Sequence, residues 1–299
     1  MKQIVECVPN FSEGRRLEVI DQIVAAIEQV KGVKVLDRSS DPDHNRTVIT
    51  FVGLPTTIGE AAFAAIAKAA ELIDMDQQEG EHPRMGAADV VPFVPIAGVT
   101  MEDCVAIARQ LGARVGEELG IPVYLYEAAA TRPDRANLGE IRPKSHQYEQ
   151  KKMDVGQDEK WAPDYGPARV GTAGTTAIGA RPPLIAYNVY LTTGDVAIAE
   201  KIAKAVRHSS GGLHFVKARG FLVEDKAQVS MNLTDYAKTP IYRVVELIRR
   251  EAARHGVGIE SSELVGMIPQ QALVDAAVWY LQLDNFEPEL VLENRLDEE

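Results

Sequence analysis

The densest chemistry in the chain lies in Gly80-Glu81-His82-Pro83-Arg84-Met85-Gly86-Ala87, where a histidine stands among a carboxylate and a guanidinium. Two glycines open backbone angles closed to other residues, and Pro83 stiffens the turn. An imidazole titrates at about 6.5, which suits proton transfer at neutral pH, so His82 is the candidate general base. A surface histidine on a polar loop explains the same residues equally well. No second histidine or cysteine lies at ligand spacing, which argues against zinc. A second polar turn, Asp41-Pro42-Asp43-His44-Asn45-Arg46, precedes a β-branched run. Counted as a calcium loop from Asp37, it has Pro42 where glycine is required and Val48 where glutamate is, so that reading is rejected. Asp-Pro-Asp is ordinary turn chemistry. Asn45 and Arg46 are nonetheless placed to enter a cleft, where an arginine fork matches a carboxylate. A third motif, Gly171-x-x-Gly174-x-x-x-x-Gly179, lacks the Gly-Lys-[Ser/Thr] ending of a phosphate loop and fails the dinucleotide fingerprint. A flexible interdomain linker is its simpler reading. A planar heterocycle against Tyr165 or the glycine backbone is the competing one.

These turns need elements to hold them. Residues 4–8 read as a short buried strand, leading into a helical pattern at Leu17, Ile20, Ile23, Val24, Ile27 and Val30. Gly32 stops that helix; residues 33–36 and 47–53 read as strands, and an alanine-rich helix covers about 57–73. Residues 88–96 form a fourth strand, with Pro92 and Pro95 pointing to an edge position or to bulges. The order is β-α-β-β-α-β, the split βαβ arrangement. A helix opened by Thr100 and Asp103 as a capping box, then a strand at 122–126, extend it.

The second half repeats the order. Its strands fall at 184–191, 213–223, 227–233 and near Gly258; its helices are marked by Ile198, Ile202, Ala205 and Val206, and then by Ile241, Val244, Val245, Ile248 and Ala252. A last helix runs over about 271–281, and the acidic end after Leu292 reads as frayed. The expected fold is therefore α/β (α+β), with two β-α-β-β-α-β subdomains, residues 1–179 and 180–299, whose sheets can face each other. The join falls in the Gly/Pro cluster at 179–183. Between Glu127 and Arg181 the periodicity fails for more than fifty residues, apart from short helices near 136–141 and 145–152. Loops of that length tend to be functional or disordered, and the aromatics here favour order.

Composition narrows the classes of function. With 32 basic and 44 acidic residues the net charge is −12, which argues against non-specific nucleic-acid binding. A few local arginines can still receive an anionic small substrate. No run approaches the roughly 18 apolar residues of a membrane span, and Glu6 comes too early for a signal peptide. Two cysteines, Cys7 and Cys104, both in apolar segments, make a disulfide framework an unlikely design and fit a reduced, cytoplasmic setting.

The string Val5-Glu6-Cys7-Val8-Pro9-Asn10-Phe11-Ser12-Glu13-Gly14 resembles the opening of the formiminotransferase domain of formiminotransferase-cyclodeaminase. So do Asn45-Arg46-Thr47-Val48, Leu72-Ile73-Asp74-Met75, the His82 motif, Pro122-Val123-Tyr124-Leu125-Tyr126 and Trp161-Ala162-Pro163-Asp164-Tyr165-Gly166-Pro167. In the second half the likeness runs through Ala227-Gln228-Val229-Ser230, Ser262-Glu263-Leu264-Val265-Gly266 and Ala272-Leu273-Val274-Asp275-Ala276-Ala277, so it covers nearly the whole chain in order.

The resemblance implies a transferase with two α/β subdomains whose mixed sheets face each other across a folate tunnel, working as a homodimer. It would carry a formimidoyl group between N-formimidoyl-L-glutamate and tetrahydrofolate in histidine degradation and one-carbon metabolism. Tetrahydrofolate is then a co-substrate, and no metal is expected. By the family's pattern His82 is catalytic, and Pro163, Asp164, Tyr165, Gly166, Pro167, Ala168, Arg169, Val170, Gly171 and Thr172 line the folate. Asn10, Ser12, Asn45, Arg46 and Arg84 are the expected polar contacts to substrate, because they stand at strand ends and turns. Each can equally tie those turns together, and Arg84 can pair with Glu81. The chain ends where the family's cyclodeaminase domain would begin, which implies a standalone transferase with a possible cyclodeaminase partner.

Two positions depart from the family's pattern. Ser39 stands where animal relatives tend to carry an aspartate that assists the histidine, and 169–174 replaces a stretch that often holds Phe and Trp. The competing functions are transfer to glycine, transfer of formyl, and folate binding without catalysis.

Overall fold

The computed structural model describes residues 3–80 and 82–296. The chain divides into two compact units, the first ending at Pro182 and the second beginning at Pro183.

The first unit runs β1 (Ile4–Cys7), β2 (Asn10–Phe11), α1 (Leu17–Glu28), β3 (Lys34–Asp41), β4 (Arg46–Gly53), α2 (Ile58–Leu72), β5 (Ala88–Ala97), α3 (Met101–Glu118), β6 (Val123–Glu127), α4 (Leu138–Ile141), α5 (Tyr148–Asp154) and β7 (Thr176–Ala180). Its sheet has β3 at one edge, then β4, the broken strand β1/β2, β5, β7 and β6. The β5–β7 and β6–β7 pairs are parallel and the others antiparallel. Helix α1 buries Val19, Ile20, Ile23 and Ile27, a three-and-four spacing that puts them on one face. Helix α2 buries Ala61, Ala62, Ala65 and Ala69 with Ile58 and Ile66, so small side chains line its core face. The Thr100–Asp103 capping box forms as expected: Thr100 Oγ1 accepts the Asp103 N–H at 3.1 Å, and Asp103 Oδ2 accepts the Thr100 N–H at 2.9 Å.

Two expectations change here. Strand β5 is interior rather than an edge. Its Pro95 lies beside a register shift against β1, where the ladder is already interrupted. Its Pro92 joins the sheet through a carbonyl that accepts the Val8 N–H at 3.3 Å. The glycine-rich run ending at Gly179 is not a flexible linker, since Thr176–Ala180 is a fully buried strand between two parallel neighbours. A Cβ at Gly179 would sit 2.5 Å from the Tyr126 ring. Small residues of mixed polarity (Thr-Ala-Ile-Gly-Ala) leave no period-two pattern, which is why this strand was invisible in the sequence.

The second unit runs β8 (Ile185–Leu191), α6 (Val196–Val206), β9 (Val216–Val223), β10 (Lys226–Leu233), α7 (Ile241–Arg254), β11 (Ile259–Val265), α8 (Gln270–Leu281) and α9 (Leu292–Leu296). Helix α9 occupies ground expected to fray. The sheet order is β11-β8-β10-β9, all antiparallel. In each unit the third β-α-β-β-α-β strand pairs with the first and second, and the fourth pairs with the first. Strands β6 and β7, which make the first sheet mixed, have no described counterpart in the second. Each unit has its own hydrophobic core. Among the described residues no helix is long and apolar enough to cross a membrane.

Candidate active site

Ser12, Asn45, Arg46, His82 and Arg84, five of the residues picked out from the sequence, line one small, tightly closed cleft in the first unit. Phe11, His44, Gln78 and Asp89 complete its wall. The cleft forms where the end of β2, the turn before β4 and the loop before β5 meet. Asn10 stands apart from that lining: it sits in β2, and its amide donates to the Val8 carbonyl at 3.1 Å.

The turn before β4 is built by its own side chains. Asp41 Oδ1 accepts the N–H groups of Asp43 and His44, both at 2.9 Å, and Asp41 Oδ2 meets His44 Nδ1 at 2.8 Å. Asn45 takes a left-handed backbone (φ 48°), which asparagine tolerates better than most residues. Its Oδ1 accepts the Gly14 N–H at 2.9 Å and its Nδ2 donates to the Glu79 carbonyl at 2.8 Å, so its amide is committed to joining three segments. Close backbone approach explains Gly86, where a Cβ would lie 2.1 Å from the Thr175 carbonyl oxygen. Ser12 Oγ donates to the Gly86 carbonyl at 2.7 Å, fastening β2 to the same point. Arg84 Nη2 donates to the Gln78 carbonyl and to Glu149 Oε1 of α5, each at 2.7 Å. Arg84 thus ties its loop to α5; Glu81, its expected partner, lies outside the described residues.

His82 is half-buried, and its Nε2 faces Arg46 Nη1 at 2.8 Å. A guanidinium only donates, so Nε2 is the accepting nitrogen and the ring is neutral. Burial first, then the positive charges of Arg46 and Arg142, push its pKa down to about 2, against a raising contact with the Pro83 backbone. Arg46 is itself lowered to about 10 by burial, partly offset by Asp41. Its Nε is buried with no hydrogen-bond partner. Arg142, just after α4, is lowered to about 9 by burial and by Arg46. It is ion-paired with Asp89, whose other oxygen accepts the Met85 N–H at 2.8 Å. The cleft is therefore a neutral imidazole against a cationic wall, an arrangement that favours an anionic ligand beside a proton acceptor.

Sequence reasoning missed Asp89, Gln78 and Arg142. Asp89 left a signal, a lone carboxylate inside the apolar run Ala88–Ala97, since buried carboxylates are rare unless paired. Arg142 lies in the aperiodic segment and left none. Ser39 sits exposed in β3, opposite Val48.

Residues 163–172 divide into an anchored start and an exposed remainder. Asp164 Oδ2 accepts the Leu125 N–H at 2.8 Å and pairs with Arg135 at 2.5 Å. The Tyr165 ring lies against α3, where a Cβ on Gly112 would be 3.0 Å from it, and Gly166 packs on Gly116 in the same way. Val170 is buried in the core, while 166–169 and 171–172 are exposed. Just beyond, Ala173 accepts the Ala87 N–H at 2.9 Å and Thr175 donates to the Met85 carbonyl at 2.8 Å, so the segment is fastened to the loop that carries His82. The exposed part offers backbone edges and the Arg169 guanidinium. Tyr165 rests part of its ring against α3 and is half-buried.

Comparison with known proteins identifies relatives over nearly the whole chain. Residues 4–181 match the family described as the formiminotransferase domain, N-terminal subdomain, and residues 186–295 match the formiminotransferase domain. The chain is 57% identical to a glutamate formimidoyltransferase of Thermoplasma acidophilum, over 98% of this chain and 97% of that protein. It is 49% identical to a glutamate formimidoyltransferase of Streptococcus pyogenes serotype M1, over 99% of each. Against the formimidoyltransferase-cyclodeaminase of Mus musculus it is 45% identical over 94% of its own length, which spans 53% of that protein.

Proposed function

The chain belongs to the formiminotransferase family, and from that premise we propose that it is a glutamate formimidoyltransferase, moving HN=CH– between N-formimidoyl-L-glutamate and tetrahydrofolate. The observation that carries this reading is the neutral His82 imidazole held against the Arg46 guanidinium, whose Nε is buried without a hydrogen-bond partner. Near-full-length identity to two relatives of that name supports the choice of glutamate over glycine and of formimidoyl over formyl.

The chemistry follows from the charges. The folate supplies the secondary amine that attacks the amidine carbon. As the new C–N bond forms, His82 takes the proton from the attacking nitrogen. It returns that proton to the glutamate nitrogen as the old C–N bond breaks, so no net proton is consumed. Arg46 receives a substrate carboxylate, with Arg142 adding to the positive field. Holding both substrates together contributes through orientation, which supplies roughly 7–11 kcal/mol in favourable cases.

Residues 163–172 form the folate side of the site, supported by their attachment to the 85–87 stretch beside His82. Ser12 and Arg84 shape the cleft, and Asn10 and Asn45 hold its supporting turns. The two units act as the N-terminal and C-terminal subdomains, joined at 179–183. The protein works as a homodimer in the cytoplasm, in histidine degradation. Exposed Trp279, Tyr280 and Leu281 on α8 support an assembled state, and two buried free cysteines support a reducing compartment.

The test is a transfer assay with purified protein, tetrahydrofolate and N-formimidoyl-L-glutamate, following the formimidoyl-folate product. Turnover with this donor is expected. Turnover only with formimidoyl-glycine or formyl-glutamate would contradict the substrate assignment, and folate binding without any transfer would contradict the enzymatic one.

A further inference from the structure

We propose that Arg46 is a substrate-operated latch on the base. In the free protein it occupies the His82 Nε2 lone pair, and a carboxylate of the arriving amino-acid substrate draws it off and leaves that nitrogen open. The inference rests on the reading of the cleft as the formimidoylglutamate site, and it adds an order of events.

The geometry sets the problem. A neutral imidazole has one accepting nitrogen, and at 2.8 Å from Arg46 Nη1 the His82 acceptor is already taken. A permanent cation on that lone pair opposes arrival of a proton there, so the base is disabled for as long as the contact lasts. Burial first, and then the Arg46 charge, hold the His82 pKa far below the histidine range.

The geometry also supplies the release. Among the described residues no carboxylate is in ion-pair contact with Arg46, and its Nε is buried without a partner, an arrangement that leaves hydrogen-bonding capacity unfilled. Arg142, by contrast, is committed to Asp89, and Arg84 to Gln78 and Glu149. Arg46 is thus the cation in this cleft with the most to gain from an incoming carboxylate, which forms shorter and stronger bonds with a guanidinium than a neutral imidazole does. Binding and activation become one event: the ligand that needs the base is the ligand that uncovers it. Water then meets a capped histidine in the empty site, which limits unproductive proton exchange.

Beyond burial, which lowers it most, the groups facing His82 that set its titration are Arg46 on β4, Arg142 after α4, His44 in the turn before β4 and the Pro83 backbone. Among these cations, Arg46 is the one in hydrogen-bond contact.

The experiment is a histidine-resolved NMR titration of the full chain, free, with saturating glutarate, and with N-formimidoyl-L-glutamate in the absence of folate. Free protein should keep His82 neutral to below about pH 4, and either dicarboxylate should bring its protonation up towards the ordinary value of about 6.5. Propylamine, which carries no carboxylate, should leave it unmoved. Arg46→Gln should raise the His82 titration without ligand part of the way to the ordinary value, because burial and Arg142 remain, and should make it insensitive to glutarate, with KM for the donor raised roughly 10- to 100-fold and kcat changed far less.

A free-protein His82 that titrates normally would overturn the latch. So would one that stays fixed when N-formimidoyl-L-glutamate saturates the site. Both readings come from the wild-type chain, so the test survives a variant that fails to fold. Active transfer with an unmoved His82 would remove the latch and keep the enzyme; a moved His82 without transfer would do the reverse.

Discussion

The two units share one strand order and differ in what they bury. Of the described residues that are buried and polar or charged, thirteen lie before Pro182 and three after it, so the same framework has been loaded with chemistry in one copy and kept plain in the other. Among the described residues, every buried side-chain polar atom without a hydrogen-bond partner, on Arg46, His146, Lys151 and Thr176, also lies in the first unit. Buried polar groups left unmatched cost stability, and a protein keeps them where function needs them. The contrast teaches that the β-α-β-β-α-β scaffold is not itself the active site. The site was made by filling the turns at one end of the first sheet with charge.

Variants can break or sharpen that contrast, and His82→Ala should have the largest effect. It should lower turnover by about 10²- to 10⁴-fold, the scale of general acid–base catalysis, with the melting temperature nearly unchanged. Gly86→Ala comes next. Its Cβ has a backbone oxygen in its place, so unfolding titrations should show a loss of roughly 1–3 kcal/mol together with reduced transfer.

Lys151 offers a subtler test. Its fully buried ammonium sits 4.4 Å from the centre of the Tyr124 ring and 4.3 Å from that of Trp161. Burial, aided by Arg135 and Lys160, pushes its pKa down to about 7. The folded state therefore binds this proton less tightly than the unfolded chain, whose lysine titrates at about 10.4. Folding bears the full penalty below pH 7 and sheds it as pH rises from about 7 to 10. Stability measured over that window should carry a rising component that Lys151→Met abolishes. The smallest effect belongs to the second unit. Lys238→Ala removes an exposed lysine from its pair with the largely buried Asp235 (3.0 Å), whose carboxylate still accepts the backbone N–H of residue 238, and should cost about 1 kcal/mol, with transfer untouched.

What could be read in the sequence follows the same division. The second unit was legible almost throughout, because its strands and helices carry clean apolar periods such as Val244, Ile248 and Ala252 on α7. In the first unit the β-α-β-β-α-β core was legible, and of the additions to it α3 and β6 were too, but not β7. Strand β7 has no alternation, and β2 is two residues long. The cleft was half legible. His82, Arg46 and Ser12 stood out as polar residues at turns, whereas Arg142 reaches the same place only through the irregular segment that follows β6. Asn45 carries a second lesson: sequence alone marks it as a polar group at a turn, but its left-handed backbone and two amide bonds show it holding that turn together.

The claim at the centre is that His82 moves the proton, and chemical rescue tests it most directly. His82→Ala, shown to be folded and to bind N-formimidoyl-L-glutamate, should regain part of its formimidoyl transfer to tetrahydrofolate when free imidazole is added, in proportion to the unprotonated fraction of the imidazole. A variant that needs no rescue because it turns over normally, or one that no small base revives, would contradict the account.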